Sequence, residues 1–528
     1  MKLSRLSLYY NTVRFLRPIQ VINRVQRRFA QSAQANYPAL SVRKRTKDPV
    51  CFIDKPKSIL KDNQFRFLNE ERVVSTQASW NEKSIPKLWL YNLHYHDGFS
   101  CPKTPDELKR DLIERWITEN PVGHGNGWEP YPLSLRIVNW IKWLLDGNEA
   151  VEGMLESLAS QVHSLTRQLE YHLLGNHLFA NAKALVFAGC FFEDGMADKW
   201  LQKGIKILRE EISEQFLEDG AHFELSTTYH ATLTEDLLDI INVLSAYDQN
   251  VPEDWKQMAR KAVVWQQTMT QPDGLPPLFN DAAYGISPSF AEIEAYAARL
   301  ELEADEVRDE PLTDLLPSGY FRYEGDNYSF FGDAGQIGPD YIPGHAHCDM
   351  LNFALFAHGQ PVIVDTGIST YEAGDRRHTE RSTAAHNTVQ LGNMEQSEIW
   401  GAFRVARRAK IIQRDVQENA VRAAYRNYNG TYVHRRKFEF GLQQIRLMDS
   451  VECKNDNLPA TARLHAHPDL DVSIEGTRVV VGPISFAFKG ATKILLSPYD
   501  YAPEFNKLVP STCIEVAFAQ HLETRISF

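Results

Sequence analysis

Five short stretches hold most of the side chains able to move protons or grip a sugar: YNLHYHDGF, GHGNGWEPYP, GNHLFAN, ELSTTYH and GHAHCD. They bring imidazoles, phenols, carboxyls and amides close together. These are the groups that act as general acids, general bases and hydrogen-bond donors at reacting centres. The indole and phenol rings among them can stack on the flat apolar faces of pyranose rings. Aromatic residues make up 11% of the chain, with 10 Trp and 21 Tyr. That content suits a protein that handles sugars, and it equally suits a large core.

The elements that must position these groups change character along the chain. From about residue 85 to 305, segments such as DELKRDLIERWITEN, LSLRIVNWIKWLLDG and LTEDLLDIINVLSAYD repeat apolar residues at helical spacing. Short loops join them, and function tends to gather in such loops. From about residue 315 the segments become short, β-branched and aromatic, alternate by two, and are punctuated by Gly, Asn and Asp. The pattern predicts a two-domain α+β chain: helices paired as an α/α toroid or bundle over 81–310, then an antiparallel β-sandwich over 311–528. Residues 1–80 form a basic helical segment and a linker wrapped onto the first domain. Within 1–30, two amphipathic helices meet at Pro18. They suit either peripheral contact with an anionic membrane or packing on the protein's own body.

Charge and cysteine usage narrow the classes. The net charge is -11, so an acidic ligand must be met by a local basic cleft. Eleven Lys or Arg precede Asp48, the first acidic residue, and the remainder carries 46 basic against 68 acidic residues. No nucleic-acid motif accompanies the basic run, so nucleic acid is not an expected partner. The six cysteines show no paired spacing and read as free thiols. No secretory signal or spanning run is evident, which predicts a cytoplasmic protein, with inner-membrane association through residues 1–30 as an extension.

Gly175-Asn176-His177, the Ser226-to-His230 run, and Gly344-His345-Ala346-His347-Cys348-Asp349 followed by the VDTG and AAHNTV runs resemble the heparinase II/III family of polysaccharide lyases. The resemblance covers roughly residues 85 to 450, in order. It implies an α/α toroid joined to an antiparallel β-sandwich, an active cleft between them, and β-elimination on a uronate-containing acidic polysaccharide. It also implies roles. Asn176, supported by His177, would neutralise the uronate carboxylate, although an Asn at a helix start also suits a cap. Tyr229 would take the C5 proton and protonate the leaving oxygen. Its phenol would be lowered toward a working pKa by His222, His230 or arginines. His345 would be a second proton acceptor or an aid to Tyr229, its alternative being a structural or metal-bound histidine. His347, Asp365 and His386 would hold a structural divalent metal, zinc by ligand type, with Asp349 behind them. The alternative there is a metal-free hydrogen-bonded cluster.

Substrate contacts are expected from Trp128, Glu129, Tyr131, Arg136, His230, Trp400 and Arg404, with Arg407 and Arg408 as further cations. The Trp128-Glu129 and Arg136 stretch looks like the family's substrate-facing helix. Asn92, His94, His96 and Asp97 have a functional texture without an assignable role. Two rivals remain at this stage. One is a toroid hydrolase drawing two carboxylates from Asp97, Glu129, Asp219 and Glu224. The other is a non-catalytic glycan-binding or assembly protein that kept the fold.

Overall fold

A computed structural model describes residues 2–29, 37–61, 63–303, 310–453 and 458–528. Twelve α-helices occur among them: α1 (Lys2–Val13), α2 (Pro18–Phe29), α3 (Lys87–Tyr95), α4 (Asp106–Glu119), α5 (Pro130–Leu145), α6 (Met154–Thr166), α7 (Gly175–Phe191), α8 (Gly195–Gln215), α9 (Thr227–Ala246), α10 (Glu253–Thr268), α11 (Phe290–Arg299) and the short α12 (Asp375–Arg381). Helices α3 to α11 form the helical toroid. Its centre is α7, an Ala-rich helix buried on almost every side, with α5, α6, α8 and α9 packed around it. Small side chains let the neighbours approach from all directions, so α7 lacks the one-sided stripe of a surface helix.

The β domain is a sandwich. A five-stranded antiparallel sheet runs in chain order from Leu312–Leu315 to Gln360–Ile363, and a ten-stranded sheet faces it. Phe321 and Phe330 cross to Phe438 and Phe440 of the large sheet. The alternate residues of the small sheet, Tyr320, Phe331 and Ala354, pack instead with Trp265, Met269 and Phe279 of the helical domain. Strand Tyr328–Asp333 is therefore buried on both faces. This double burial locks the two domains together and gives the cleft between them rigid walls.

Residues 37–80, read from sequence as a linker, include a hairpin of Gln64–Phe67 with Glu70–Val73, and Ser41–Val42 pairs with Phe192–Glu193. Phe65 is buried within the helical core, so tertiary contact organises a stretch with little periodicity of its own. Cys51, Cys101, Cys190, Cys348 and Cys513 carry free thiols. No helix among the described residues is long and apolar enough to cross a membrane.

Candidate active site between the two domains

A cleft of about 660 Å³ lies between the helical and β domains, with α1 and α2 forming one wall. Tyr131, Asn176, His177, Tyr229, His345, Tyr371, Trp400 and Arg404 all line it.

The backbone turns sharply to deliver Asn176 and His177. Leu174 and Gly175 both have positive φ, 65° and 56°. A Cβ on Gly175 would lie 2.6 Å from Ile342 Cδ1 and 3.0 Å from Glu224 Oε1, and with the positive φ this favours glycine. The helix cap is Leu174, not Asn176, which excludes the capping role for the Asn176 side chain. That amide makes no hydrogen bond among the described residues and faces the cleft. His177 Nδ1 lies 3.1 Å from Glu170 Oε1, and its ring rests against Tyr131 at 4.5 Å. Burial works against a charged His177, but Glu170 outweighs it and the imidazole pKa is raised. Glu170 is correspondingly lowered, its own burial being overcome by His177 and Asn181.

Tyr229 sits in the first turn of α9, whose cap Ser226 accepts from the Tyr229 backbone N–H at 3.4 Å. Its hydroxyl is 3.2 Å from that of Tyr371, and its ring lies 4.0 Å from the His345 ring. Burial first, then Tyr371 and Asp281, push the Tyr229 phenol well above its ordinary range. The expected lowering by His222 and His230 does not occur, because both are buried elsewhere. His222 pairs with Gln215 at 3.0 Å, and His230 bonds the Ala262 carbonyl at 2.9 Å. Tyr371 went unnoticed in the sequence; its signal was its place six residues beyond Asp365, just after the VDTG run.

Asp281 is the second residue the sequence reading missed. It is fully buried in the loop between α10 and α11 and binds three partners. Arg377 of α12 grips both carboxylate oxygens, His345 Nδ1 donates to Oδ2 at 2.8 Å, and His347 Nε2 donates to Oδ1 at 2.8 Å. Burial disfavours its charge, but Arg377 and the two imidazoles hold the carboxyl well below the usual range. Its backbone carbonyl accepts from Ser226 Oγ at 2.7 Å, tying the start of α9 to the same hub. Its sequence signal was slight: one of two acids, with Asp273, in a Pro- and Gly-rich loop. Glu224 faces the other nitrogen of His345, 3.4 Å from Nε2, and burial raises its carboxyl. Both ring nitrogens of His345 thus face carboxylates, which favours the role of aiding Tyr229 over that of a free base.

The proposed metal ligands meet only in part. His386 Nδ1 donates to Asp365 Oδ2 at 2.7 Å, and the His386 and His347 rings are 5.3 Å apart. Among the described residues no group of three or more His, Cys, Asp or Glu side chains is arranged to hold a metal ion. Asp365 orients His386 instead of standing beside it as a ligand. Even so, His347 Nδ1, His386 Nε2 and Asp349 Oδ2 are buried without a hydrogen-bond partner. Bare imidazole nitrogens beside a carboxylate have the donor chemistry of a divalent-cation site, although the set is not closed.

Several expected substrate contacts are structural. Arg136 is fully buried; it bonds the His94 and Gly127 carbonyls and Gln161, and lies 3.6 Å over Trp116. Trp128 is in the core, its indole donating to the Asn120 carbonyl at 3.2 Å. His230 packs 4.3 Å from Trp265, away from the cleft. Glu129 stands behind the wall, bonded to Lys87 and Tyr91. Arg407 pairs with Glu398 at 2.7 Å. The histidine-rich stretch at 92–97 also has a structural explanation. His94 and His96 accept from the indoles of Trp116 and Trp140 at 3.1 and 2.8 Å.

Two family profiles match the chain: Heparinase II/III N-terminus over residues 113–298 and Heparinase II/III-like, C-terminal over 307–528. The chain belongs to the heparinase II/III family. It is 27% identical over 253 residues to a heparin-sulfate lyase of Bacteroides stercoris, covering 43% of this chain and 37% of that protein. A heparin-sulfate lyase of Bacteroides thetaiotaomicron is 23% identical over 332 residues, covering 53% and 47%. The chain thus spans less than half the length of these relatives. The crystal structure of heparinase III superposes with a TM-score of 0.65 at 16% identity, covering 91% of this chain and 82% of that one. A Streptomyces coelicolor chondroitin AC lyase superposes at 0.53 with 10% identity, covering 84% and 74%. Toroid followed by β domain is thus the heparinase II/III fold.

Proposed function

We propose that this chain is a polysaccharide lyase that cleaves a uronate-containing acidic glycan by β-elimination. The observation that carries this reading is the convergence of Asn176, His177, Tyr229, Tyr371 and His345 on one interdomain cleft. The names of the similar heparin-sulfate lyases point to the same substrate class.

The uronate carboxylate would bind at Asn176 and His177, an uncommitted amide and an imidazole whose pKa Glu170 raises. Neutralising that carboxylate makes the C5 proton removable. Tyr229, kept protonated by its raised pKa, would donate its proton to the oxygen leaving C4 while the same phenol oxygen takes the C5 proton, so the phenol is regenerated in one concerted step. The C5–H pair becomes the C4=C5 double bond as the C4–O bond breaks. Tyr371, also held protonated by burial and then Asp281, would steady the Tyr229 oxygen across the 3.2 Å hydroxyl contact. His345, held by Asp281, fixes the Tyr229 ring from its face.

The hydrolase alternative finds little support. Asp97 is bonded to Asn139, Asp219 to Ser318 and Glu129 to Lys87, leaving Glu224 without an opposing carboxylate among the four considered. Incubation with a panel of uronate polymers tests the reading through the ultraviolet absorbance of the 4,5-unsaturated product. The expected result is a rise with the parent protein that vanishes in Tyr229→Phe. New reducing ends without absorbance would establish a hydrolase, and binding without either signal a glycan-binding protein.

A structural divalent metal, zinc by donor type, belongs to this proposal. His347 Nδ1 and His386 Nε2 would hold it and Asp365 would orient His386, pinning the strands behind the cleft. Elemental analysis of the purified protein, with unfolding temperature followed under a chelator, checks it; no bound metal and no shift would dismiss it. Peripheral contact with the cytoplasmic face of a membrane is also proposed. Leu6, Tyr10, Ile22 and Val25 on α1 and α2 are more than half exposed amid arginines. Co-sedimentation with anionic vesicles checks that contact.

A further inference from the structure

Four cations stand on the cleft wall built from α1, α2, α3 and the segment from residue 400 to 408: Arg24, Lys87, Arg404 and Arg408. Two are neutralised within the protein. Lys87 pairs with Glu129 at 2.9 Å, and Arg408 pairs with Asp340 at 3.1 Å. The guanidiniums of Arg24 and Arg404 make no hydrogen bond or ion pair among the described residues. They nevertheless lie close enough that, after partial burial, Arg404 is the next cause lowering Arg24. His172 on the same wall is pushed down to about 4 by burial, then Arg27, with Arg24 contributing, so it adds no charge near neutral pH.

The Arg404 guanidinium and the helix that carries Arg24 are each held in place. Arg404 lies over the Trp400 indole at 4.6 Å. Trp400 is fixed in turn by donation to Thr12 Oγ1 at 3.0 Å and by the edge of Tyr9 at 5.3 Å. Helix α2 is anchored by buried Gln20, which donates to the Leu173 and Tyr341 carbonyls at 3.3 and 3.4 Å. It is also anchored by Arg17, which stacks 3.8 Å over Tyr341. Holding two unpaired like charges together is unfavourable until an anion bridges them, and guanidinium forks suit sulfate and carboxylate alike. Arg24 precedes residue 113, where the family match begins, so this cation is supplied by a segment outside that match.

We propose that Arg24 and Arg404 together form a subsite for one anionic group, sulfate or carboxylate, on a sugar flanking the one that is cut. The N-terminal helices would thereby take part in selecting the glycan. This rests on the glycan-cleft reading above and assigns a flanking sugar to a definite wall.

The test compares the parent with Arg24→Ala, Arg404→Ala and Arg24→Lys. The probes are a heparan sulfate oligosaccharide and its desulfated, N-acetylated counterpart of equal length. Turnover and equilibrium binding are both followed across a salt series. Loss of either guanidinium should weaken recognition about tenfold, chiefly through KM, and flatten its salt dependence. Arg24→Lys should retain the salt dependence while losing part of the affinity. Weakening confined to the sulfated probe assigns the subsite to sulfate, and equal weakening of both assigns it to a carboxylate. Turnover with KM and salt dependence unchanged in Arg24→Ala overturns the subsite and leaves the lyase reading standing. Binding without turnover in the parent, weakened by Arg24→Ala, keeps the subsite and removes the lyase reading. Absence of binding to both probes by the parent overturns the subsite.

Discussion

Histidines in the helical interior and histidines at the domain boundary behave differently, and their partners explain why. In the interior, His94 and His96 accept from indoles, His222 meets an amide and His230 a backbone carbonyl. None has a carboxylate against its ring. Burial therefore prevails, pushing His94 and His230 down to about 3 and His96 and His222 well below their ordinary value. At the boundary, His177 faces Glu170, His345 faces Asp281 and Glu224, and His386 faces Asp365. There the ion pairs overcome burial for His177 and His386, whose pKa values are raised. His347 marks the limit of the rule. It shares Asp281 with Arg377 and falls to about 3 through burial despite that carboxylate. A histidine in a packed setting is thus a neutral structural group or a chargeable one, depending chiefly on whether a carboxylate completes the contact.

The sharpest contrast lies between two adjacent residues of α9. Tyr229→Phe removes a cleft hydroxyl and should cut turnover by about 100- to 10,000-fold with the fold retained. His230→Gln, one residue further on, should cost about 1–3 kcal/mol of stability and leave the chemistry intact. Product absorbance and denaturant unfolding of both variants separate the two outcomes. Comparable activity loss in both would break the distinction between boundary and interior.

Asp281→Ala comes next. It leaves Arg377 buried without its partner and frees both His345 and His347. A loss of about 3–5 kcal/mol is expected in denaturant unfolding. Because Ser226 and the start of α9 share this hub, activity should fall even where the variant remains folded. His96→Phe deletes the acceptor for the Trp140 indole at a left-handed backbone position packed among Phe99, Trp116 and Trp140. Its expected cost is about 1–3 kcal/mol, with the pH profile of any activity unmoved.

The smallest effect is a displacement in pH. The raised His177 pKa contributes stability below the ordinary imidazole pKa, and that contribution fades as pH rises through the folded value. The lowered Glu170 pKa contributes above the ordinary carboxyl value and fades as pH falls through the folded one. The pair therefore stabilises the protein between these two limits. Glu170→Gln leaves burial as the main influence on His177, so the alkaline limb of the activity profile should move to lower pH. An unmoved limb would mean that His177 is not the group titrating there.

Legibility in the sequence followed the range of the interactions. Helical and alternating periodicities are local, and they announced a helical half followed by a β half. The order of the short motifs likewise pointed to Asn176, His177, Tyr229 and His345, all of which line one cleft. Burial is not local. Arg136, Trp128 and His230 have the residue types of a sugar site, yet each turns inward: Arg136 and His230 to carbonyls of distant segments, and Trp128 to a carbonyl eight residues back, in the core.

The sequence by itself determined which elements form and which motifs recur. Only the tertiary structure decided that Asp281 joins three elements, that Tyr371 meets Tyr229, and that Arg24 and Arg404 line the same cleft. The reason is physical: a charged or titratable side chain takes its role from the groups packed against it, and for Asp281 and Tyr229 those lie from 64 to 142 residues away along the chain.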